Sequence, residues 1–181
     1  MAFQRSRQGK PPATEAELFE YAVKTLGSKM RSVRDLRRLM KLRAEPGAEG
    51  EAQMDRIVQR LEDLKYLSDP RFAADFTRLR QENQSFGRRR VQQDLTNKGI
   101  DKELVQTTLE TAYEDVNEAA LAKVYIERKR MKVPQDQKET ARVLRRLIRA
   151  GFSTPTIFKV LRDLKAPIDE LDVEGFEEPE S

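Results

Sequence analysis

Apolar positions recur along this 181-residue chain at three- and four-residue spacing, not in alternation. Leu18, Ala22 and Leu26 form one such series, and Met54, Ile57, Val58, Leu61 and Leu64 another. Phe72, Phe76 and Leu79 form a third, followed by Leu104, Thr108, Leu109 and Ala112, and by Ile157, Phe158, Leu161 and Leu164. This is the period of a helix with one face toward a core. The pattern predicts nine helices, near 15–28, 33–43, 51–65, 70–83, 88–98, 102–113, 115–131, 137–150 and 154–164. Tyr66, Phe72, Phe76, Phe152 and Phe158 fall on apolar stripes and are read as core, not as base-stacking platforms. Residues 1–13 and 166–181 lack periodicity and are read as mobile tails.

Start signals fit these limits. Thr14-x-x-Glu17, Ser32-x-x-Asp35 and Asp136-x-x-Glu139 have the spacing of capping boxes. Asp69 is read as an N-cap with Pro70 at the first helical position. Gly99 and Gly151 can take the left-handed conformation that closes a helix, with Ile100 and Phe152 as the apolar clasp and Asp101 and Ser153 as caps of the next helix. Gly87 carries no such demand on the sequence alone.

The chain also repeats itself. Residues 34–41 and 142–149 both read R-x-L-R-R-L-hydrophobe-base, and the Gly99 and Gly151 junctions lie in register with the apolar positions after them. This predicts an all-α tandem array of three three-helix repeats, elongated and curved. The boundaries are an N-terminal tail at 1–13, repeats at 14–67, 68–113 and 114–165, and an acidic tail at 166–181. The first repeat has a longer loop, from Ala44 to Gly50, in place of the one-residue glycine turn.

Composition removes several chemistries. The chain has no Cys and no His. A thiol nucleophile, a disulfide, a zinc finger, a His general base and a Ser-His-Asp triad are therefore excluded. No calcium-binding D-x-D-x-D-G loop and no phosphate-cradling G-x-x-x-x-G-K-[ST] loop occurs. No cofactor is called for, and the expectation is a non-enzyme. The longest apolar run is four residues, too short for a bilayer, and the first seven residues lack the apolar stretch of a leader, so a cytoplasmic protein is expected. It is read as a monomer.

The net charge of +4 conceals blocks. Residues 29–43 carry +6, 78–98 carry +4 and 123–149 carry +7, whereas 45–63 carry −4, 101–118 carry −5 and 166–181 carry −7. Such alternation reads either as neighbouring helix faces that attract one another or as basic stripes for a polyanion or an acidic protein. The acidic tail is either solvating or folds back on the basic stripes.

Tyr66-Leu67-Ser68-Asp69-Pro70-Arg71-Phe72-Ala73 resembles the Y-L-D-D-x-R-F-A signature of the RecX family, with Ser68 where an acid is usual. Arg88-Arg89-Arg90-Val91-Gln92-Gln93-Asp94-Leu95-Thr96-Asn97-Lys98-Gly99-Ile100 resembles that family's basic helix ending in K-G-I. The resemblance runs from about Ser32 to Leu164. It implies tandem three-helix units and a non-catalytic regulator that binds RecA and the groove of its filament on single-stranded DNA. It further implies inhibition of recombinase, ATPase and coprotease activities. Weak DNA binding is expected beside this, and the short apolar runs argue against membrane association. The alternative from the residues is a sequence-independent nucleic-acid-binding protein acting directly on DNA.

Candidate contact residues follow from charge placement. Arg142, Arg145, Arg146 and Arg149 share one helix face. Four like charges there repel, so either a partner or acids such as Glu103 and Glu110 must answer them. Arg34, Arg37, Arg38 and Lys41 repeat the pattern. Arg88, Arg89 and Arg90 stand at a helix start, where positive charge opposes the helix dipole, and the nearest acids in sequence are Glu82 and Asp94. Arg71, flanked by Asp69 and Asp75, is read as a structural pair. Arg128, Lys129, Arg130 and Lys132 are read as a solvated helix end.

Overall fold

The computed structural model describes residues 11–168. Among them are nine α-helices and no strand: α1 (Glu15–Ser28), α2 (Val33–Met40), α3 (Ala48–Asp63), α4 (Asp69–Gln84), α5 (Arg88–Asn97), α6 (Lys102–Tyr113), α7 (Glu118–Arg128), α8 (Gln137–Arg149) and α9 (Thr154–Asp163). They divide into two compact units. Among the described residues, one holds 11–72 together with 98–100, and the other holds 73–97 and 101–168.

In the first unit α1, α2 and α3 pack on one another. Leu18, Ala22, Leu36, Met40, Met54, Ile57 and Leu61 form the core, each at most 2% exposed. Thr14 starts α1 with a complete capping box. Its amide donates to Glu17 Oε2 at 2.9 Å, and the Glu17 amide donates to Thr14 Oγ1 at 3.4 Å. The tail reading for 11–13 needs correction. The Ala13 amide donates to the Arg43 carbonyl at 2.8 Å, so this end of the segment is tied down. Residues 1–10 lie outside the described part.

Three other expectations in this unit change. Helix α3 starts three residues early, because Gly47 turns the chain at φ +95° and Gly50 fits inside the first turn. A Cβ on Gly50 would stand 1.8 Å from the Glu45 carbonyl oxygen. Tyr66 is not core but 61% exposed. Helix α3 ends with Lys65 in the left-handed region, the Tyr66 amide donates to Leu61 O, and the next residue, Leu67, takes the buried place. Asp69 does not cap α4. Ser68 does, accepting from the Arg71 amide at 3.3 Å, while Asp69 reaches across to accept from the Val33 amide at 2.8 Å at the start of α2.

In the second unit the core gathers Ala122, Tyr125, Val143, Leu144, Leu147, Phe152, Ile157, Val160 and Leu161. Helix α5 packs on α6, and α9 packs on both α7 and α8. Helix α8 closes as the sequence predicts. Gly151 has φ +88°, its amide donates to Ile148 O at 2.9 Å, and the Phe152 amide donates to Leu147 O at 3.2 Å. Phe152 is fully buried. This is the paired hydrogen bonding of a Schellman motif with its apolar clasp. Helix α7 is shorter than expected because Asn117 caps it, accepting from the Ala120 amide at 3.0 Å.

Ser153 does not cap α9 with its own side chain. Glu118 takes that place from α7. The Ser153 amide donates to its Oε1 at 2.8 Å, and the hydroxyls of Ser153 and Thr156 both donate to its Oε2. The start of the acidic tail is anchored, with Ala166 8% exposed and Ile168 packed on the core. Residues 169–181 lie outside the described part.

Candidate partner-binding face

Helix α8 carries the candidate face. Thr140, Val143, Leu144 and Leu147 turn inward and are buried. Helical geometry then forces Arg142, Arg145, Arg146 and Arg149 outward, and all four are exposed. None forms an ion pair with an acid among the described residues. In particular, Glu103 and Glu110 do not answer them, and Glu110 instead accepts from Gln106 at 2.9 Å. Lys138, one turn before Arg142, is exposed as well and extends the stripe. The sequence pattern held a signal for it, since 138 and 142 are four apart.

The other basic helices differ. On α2, Arg37 donates to Asp55 and, at 2.9 Å, to Glu51, both on α3. Lys41 donates to the other oxygen of Glu51 at 2.8 Å. Hydrogen bonds from Lys41 and then Arg37 hold the Glu51 carboxyl below the usual carboxylate range. Arg34 lays its side chain against the turn at residues 98–100, so that a Cβ on Gly99 would stand 2.4 Å from Arg34 Cδ. Arg38 is exposed and has no acid partner among the described residues. Of these four cations, Arg37 and Lys41 are thus engaged by α3.

On α5, Arg90 pairs with Asp94 at 3.2 Å, and Arg80 of α4 approaches the same carboxylate at 3.4 Å. The Phe86 ring lies within 5.8 Å of the Arg80 guanidinium and 5.6 Å of the Arg90 guanidinium. Arg90 therefore helps hold α4 and α5 together. Arg89 is exposed. Arg88 lines a groove of about 160 Å³ between α5 and α6, with Gln92 and Thr96 beside it and Lys102 and Gln106 across from it. Lys102 is a second cation in this groove that charge counting passed over. Its block is acidic overall, which hid it.

The three arginines at the start of α5 have a structural answer that the sequence did not show. The amides of Gly87 and Arg89 donate to the carbonyls of Ala150 (2.8 Å) and Gly151 (3.3 Å) in the turn that ends α8. Partial negative charge at that helix end offsets the positive end of α5. Arg71 departs from expectation too. It is exposed and has no ion pair among the described residues, because Asp75 serves Arg78 (3.4 Å) and Asp69 serves Val33. No group of three or more potential metal ligands lies together among the described residues. Nor is any helix there long and apolar enough to cross a membrane.

The fold is all-helical among the described residues, and there the α8 arginines meet no acid. A family model described as the second three-helix domain of RecX matches residues 68–109. The chain is 30% identical over 111 residues to the regulatory protein RecX of Yersinia enterocolitica, covering 61% of this chain and 65% of that one. It is 31% identical over 113 residues to the regulatory protein RecX of Serratia proteamaculans, covering 62% and 66%. The match thus spans just under two thirds of each relative. The crystal structure of RecX from Lactobacillus salivarius has the same fold, with a TM-score of 0.62 at 18% identity over 83% of this chain and 96% of that one. In sequence and in fold the chain is thus similar to proteins of the RecX family.

Proposed function

We propose that this chain is a non-catalytic regulator that binds RecA and its filament on single-stranded DNA through the α8 arginine face. Binding there inhibits the recombinase, ATPase and coprotease activities. The observation that carries the reading is the α8 stripe, four exposed arginines with no acid partner among the described residues. Like charges at three- and four-residue spacing destabilise a helix by a few tenths of a kcal/mol per pair. The fold gains nothing from them, so their use is external. Arg38, Arg88 and Arg89 add exposed cations, while Arg34, Arg37, Lys41 and Arg90 contribute through the local structure they hold in place.

The test replaces Arg142, Arg145, Arg146 and Arg149 together by Glu. All four are exposed, so the helical spectrum is expected to persist. The wild type is expected to slow RecA-dependent ATP hydrolysis at substoichiometric amounts, and the variant to lose that effect. Inhibition by wild type and variant alike overturns the face. A folded wild type with no inhibition overturns the function. If bare DNA is the partner instead, the variant flattens the dependence of log K on log salt by roughly 3–4, at about 0.7–0.9 per phosphate contact, and RecA makes no difference.

A further inference from the structure

We infer that Tyr66 is a stacking platform for a base of single-stranded nucleic acid, with Lys65 and Arg71 meeting the phosphates on either side. The three residues lie in the first unit, and the inference does not rest on the reading just given. Two observations carry it.

The first is a clasp position that faces water. Helices α3, α7, α8 and α9 end in the same way. A left-handed residue (Lys65, Arg130, Gly151 or Lys165) is followed by one whose amide donates to the carbonyl five residues back. The followers are Tyr66, Met131, Phe152 and Ala166, at 2.9, 3.0, 3.2 and 3.0 Å. In a Schellman motif this residue makes an apolar contact back onto the helix. Met131, Phe152 and Ala166 do so and pack on the core of the second unit. Tyr66 instead stands 61% exposed, and Leu67 fills the core of the first unit in its place. Leu64, 48% exposed, extends the apolar surface at the same helix end.

The second is the charge around the ring. Lys65 and Arg71 flank it in sequence, both are exposed, and neither forms an ion pair among the described residues. Asp69, the acid between them, turns away to accept from the Val33 amide at 2.8 Å. Glu62 and Asp63 belong to the last turn of α3, and Asp63 accepts from Gln59 at 3.0 Å. The bond from Val33 also brings the 66–71 loop to the start of α2, where Lys29 and Arg31 stand just ahead. Neither of these has an ion pair among the described residues, and Arg31 Nε is buried there without a hydrogen-bond partner.

An open aromatic ring among unanswered cations matches what a single strand offers, flat bases on a charged backbone. A strand carries a phosphate at every nucleotide and so meets cations on both sides of the ring at once. In a duplex the bases are already stacked on one another, and none is free for Tyr66.

The test uses the whole chain and bare oligonucleotides. A fluorescein-labelled thymidine oligomer is titrated by anisotropy, beside an abasic oligomer of the same length and charge and a duplex. Wild type is expected to bind the thymidine strand about tenfold more tightly than the abasic one, the order of one stacked base. Tyr66→Ala is expected to bind the two strands alike. Tyr66→Phe is expected to keep the preference, since the ring stacks without its hydroxyl. Tyr66 is exposed, so both variants are expected to keep the helical spectrum. Lys65→Gln with Arg71→Gln is expected to flatten the dependence of log K on log salt by roughly 1.4, at about 0.7 per phosphate, and to leave the preference for bases in place.

Equal affinity of wild type for the thymidine and abasic strands overturns the stack, as does binding to neither. A Tyr66→Phe protein as weak as Tyr66→Ala overturns it too, because a hydroxyl contact is then at work. So does a Tyr66→Ala protein that loses as much affinity for the duplex. An unchanged salt slope overturns the phosphate contacts. If Tyr66→Ala binds the thymidine strand as wild type does and yet loses inhibition of RecA-dependent ATP hydrolysis, the ring meets a protein and the stack is refuted. No RecA enters the titrations, so the α8 reading and this one fail separately.

Discussion

A Cβ on Gly87 would stand 2.2 Å from the carbonyl oxygen of Gly151. The reverse approach is equally tight, since a Cβ on Gly151 would stand 2.2 Å from the Arg90 backbone nitrogen. The start of α5 and the turn after α8 touch backbone to backbone, and only glycine fits on either side.

Gly87→Ala is therefore expected to destabilise the protein by about 2–3 kcal/mol, in the range of an overpacked core. Gly151→Ala adds the strain of a left-handed backbone and costs at least as much. Gly27→Ala is the comparison. Nothing lies within 4 Å of its Cβ and it sits in α1, so a gain of up to about 1 kcal/mol is expected. Urea midpoints of the three variants check this, and a Gly87→Ala protein as stable as wild type refutes the close approach.

Asp69 gives a pH signature. Its carboxyl is pushed up from the usual range, first by burial and also by the nearby Asp35 charge, against the hydrogen bond from Val33. A raised carboxyl pKa means that the charged form is the less favourable one in the fold. Its cost is present above the folded pKa and is relieved as pH falls toward 3.8, the ordinary value. Asp69→Asn keeps the acceptor without the charge. It is expected to match or exceed wild-type stability at pH 7, with the difference closing toward pH 4. Asp69→Ala leaves the Val33 amide without its acceptor and costs about 1–2 kcal/mol at any pH. Denaturation at pH 4 and pH 7 separates the three proteins.

Glu118 holds the start of α9 through one backbone amide and two hydroxyls. Charge-assisted bonds of this kind are roughly twice as strong as neutral ones. Glu118→Ala is expected to cost about 2–3 kcal/mol and Glu118→Gln about half of that. Faster amide exchange at Ser153 and Ile157, with residues 15–28 unchanged, is the local readout. Unaltered exchange at Ser153 refutes the capping role.

Arg130 and Lys165 close α7 and α9 in the left-handed region, at φ +48° and +54°. A side chain costs roughly 1–2 kcal/mol there, and glycine removes that cost while adding about 1 kcal/mol of unfolded-chain entropy. Arg130→Gly and Lys165→Gly are expected to change stability by between zero and about +1 kcal/mol. Thermal midpoints check the sign. A clear loss in either variant assigns its side chain a contact of its own.

What the sequence revealed and what it withheld follow one division. Gly151 was legible because a helix end is written in neighbouring residues, a left-handed glycine followed by an apolar clasp. Gly87 was not, because its constraint comes from a backbone 64 residues away. Thr14 and Glu17 could be paired from spacing alone, whereas Asp69 left its expected cap for Val33, 36 residues back. The apolar side of α8 followed from its period, and with it the outward set of arginines. That Arg37 and Lys41 would be engaged depended on where α3 places Glu51, and that Arg142 and Arg149 meet no acid among the described residues was not written in their spacing. Tyr66 was misplaced by one residue because a left-handed Lys65 is not visible in composition, and Leu67 held the buried position instead.

The bonds from Gly87 and Arg89 to the turn after α8 have a mechanical consequence. Stacked helical repeats can unravel from one end, each layer opening with little regard for the next. Here the last repeat cannot peel away without stranding two amide donors at the start of α5 and opening a glycine-lined seam to water. Residues 73–97 and 101–168 are therefore expected to melt as one cooperative block. Amide exchange at Gly87, deep in the sequence of one repeat, then reports the integrity of a helix whose own residues begin fifty positions later.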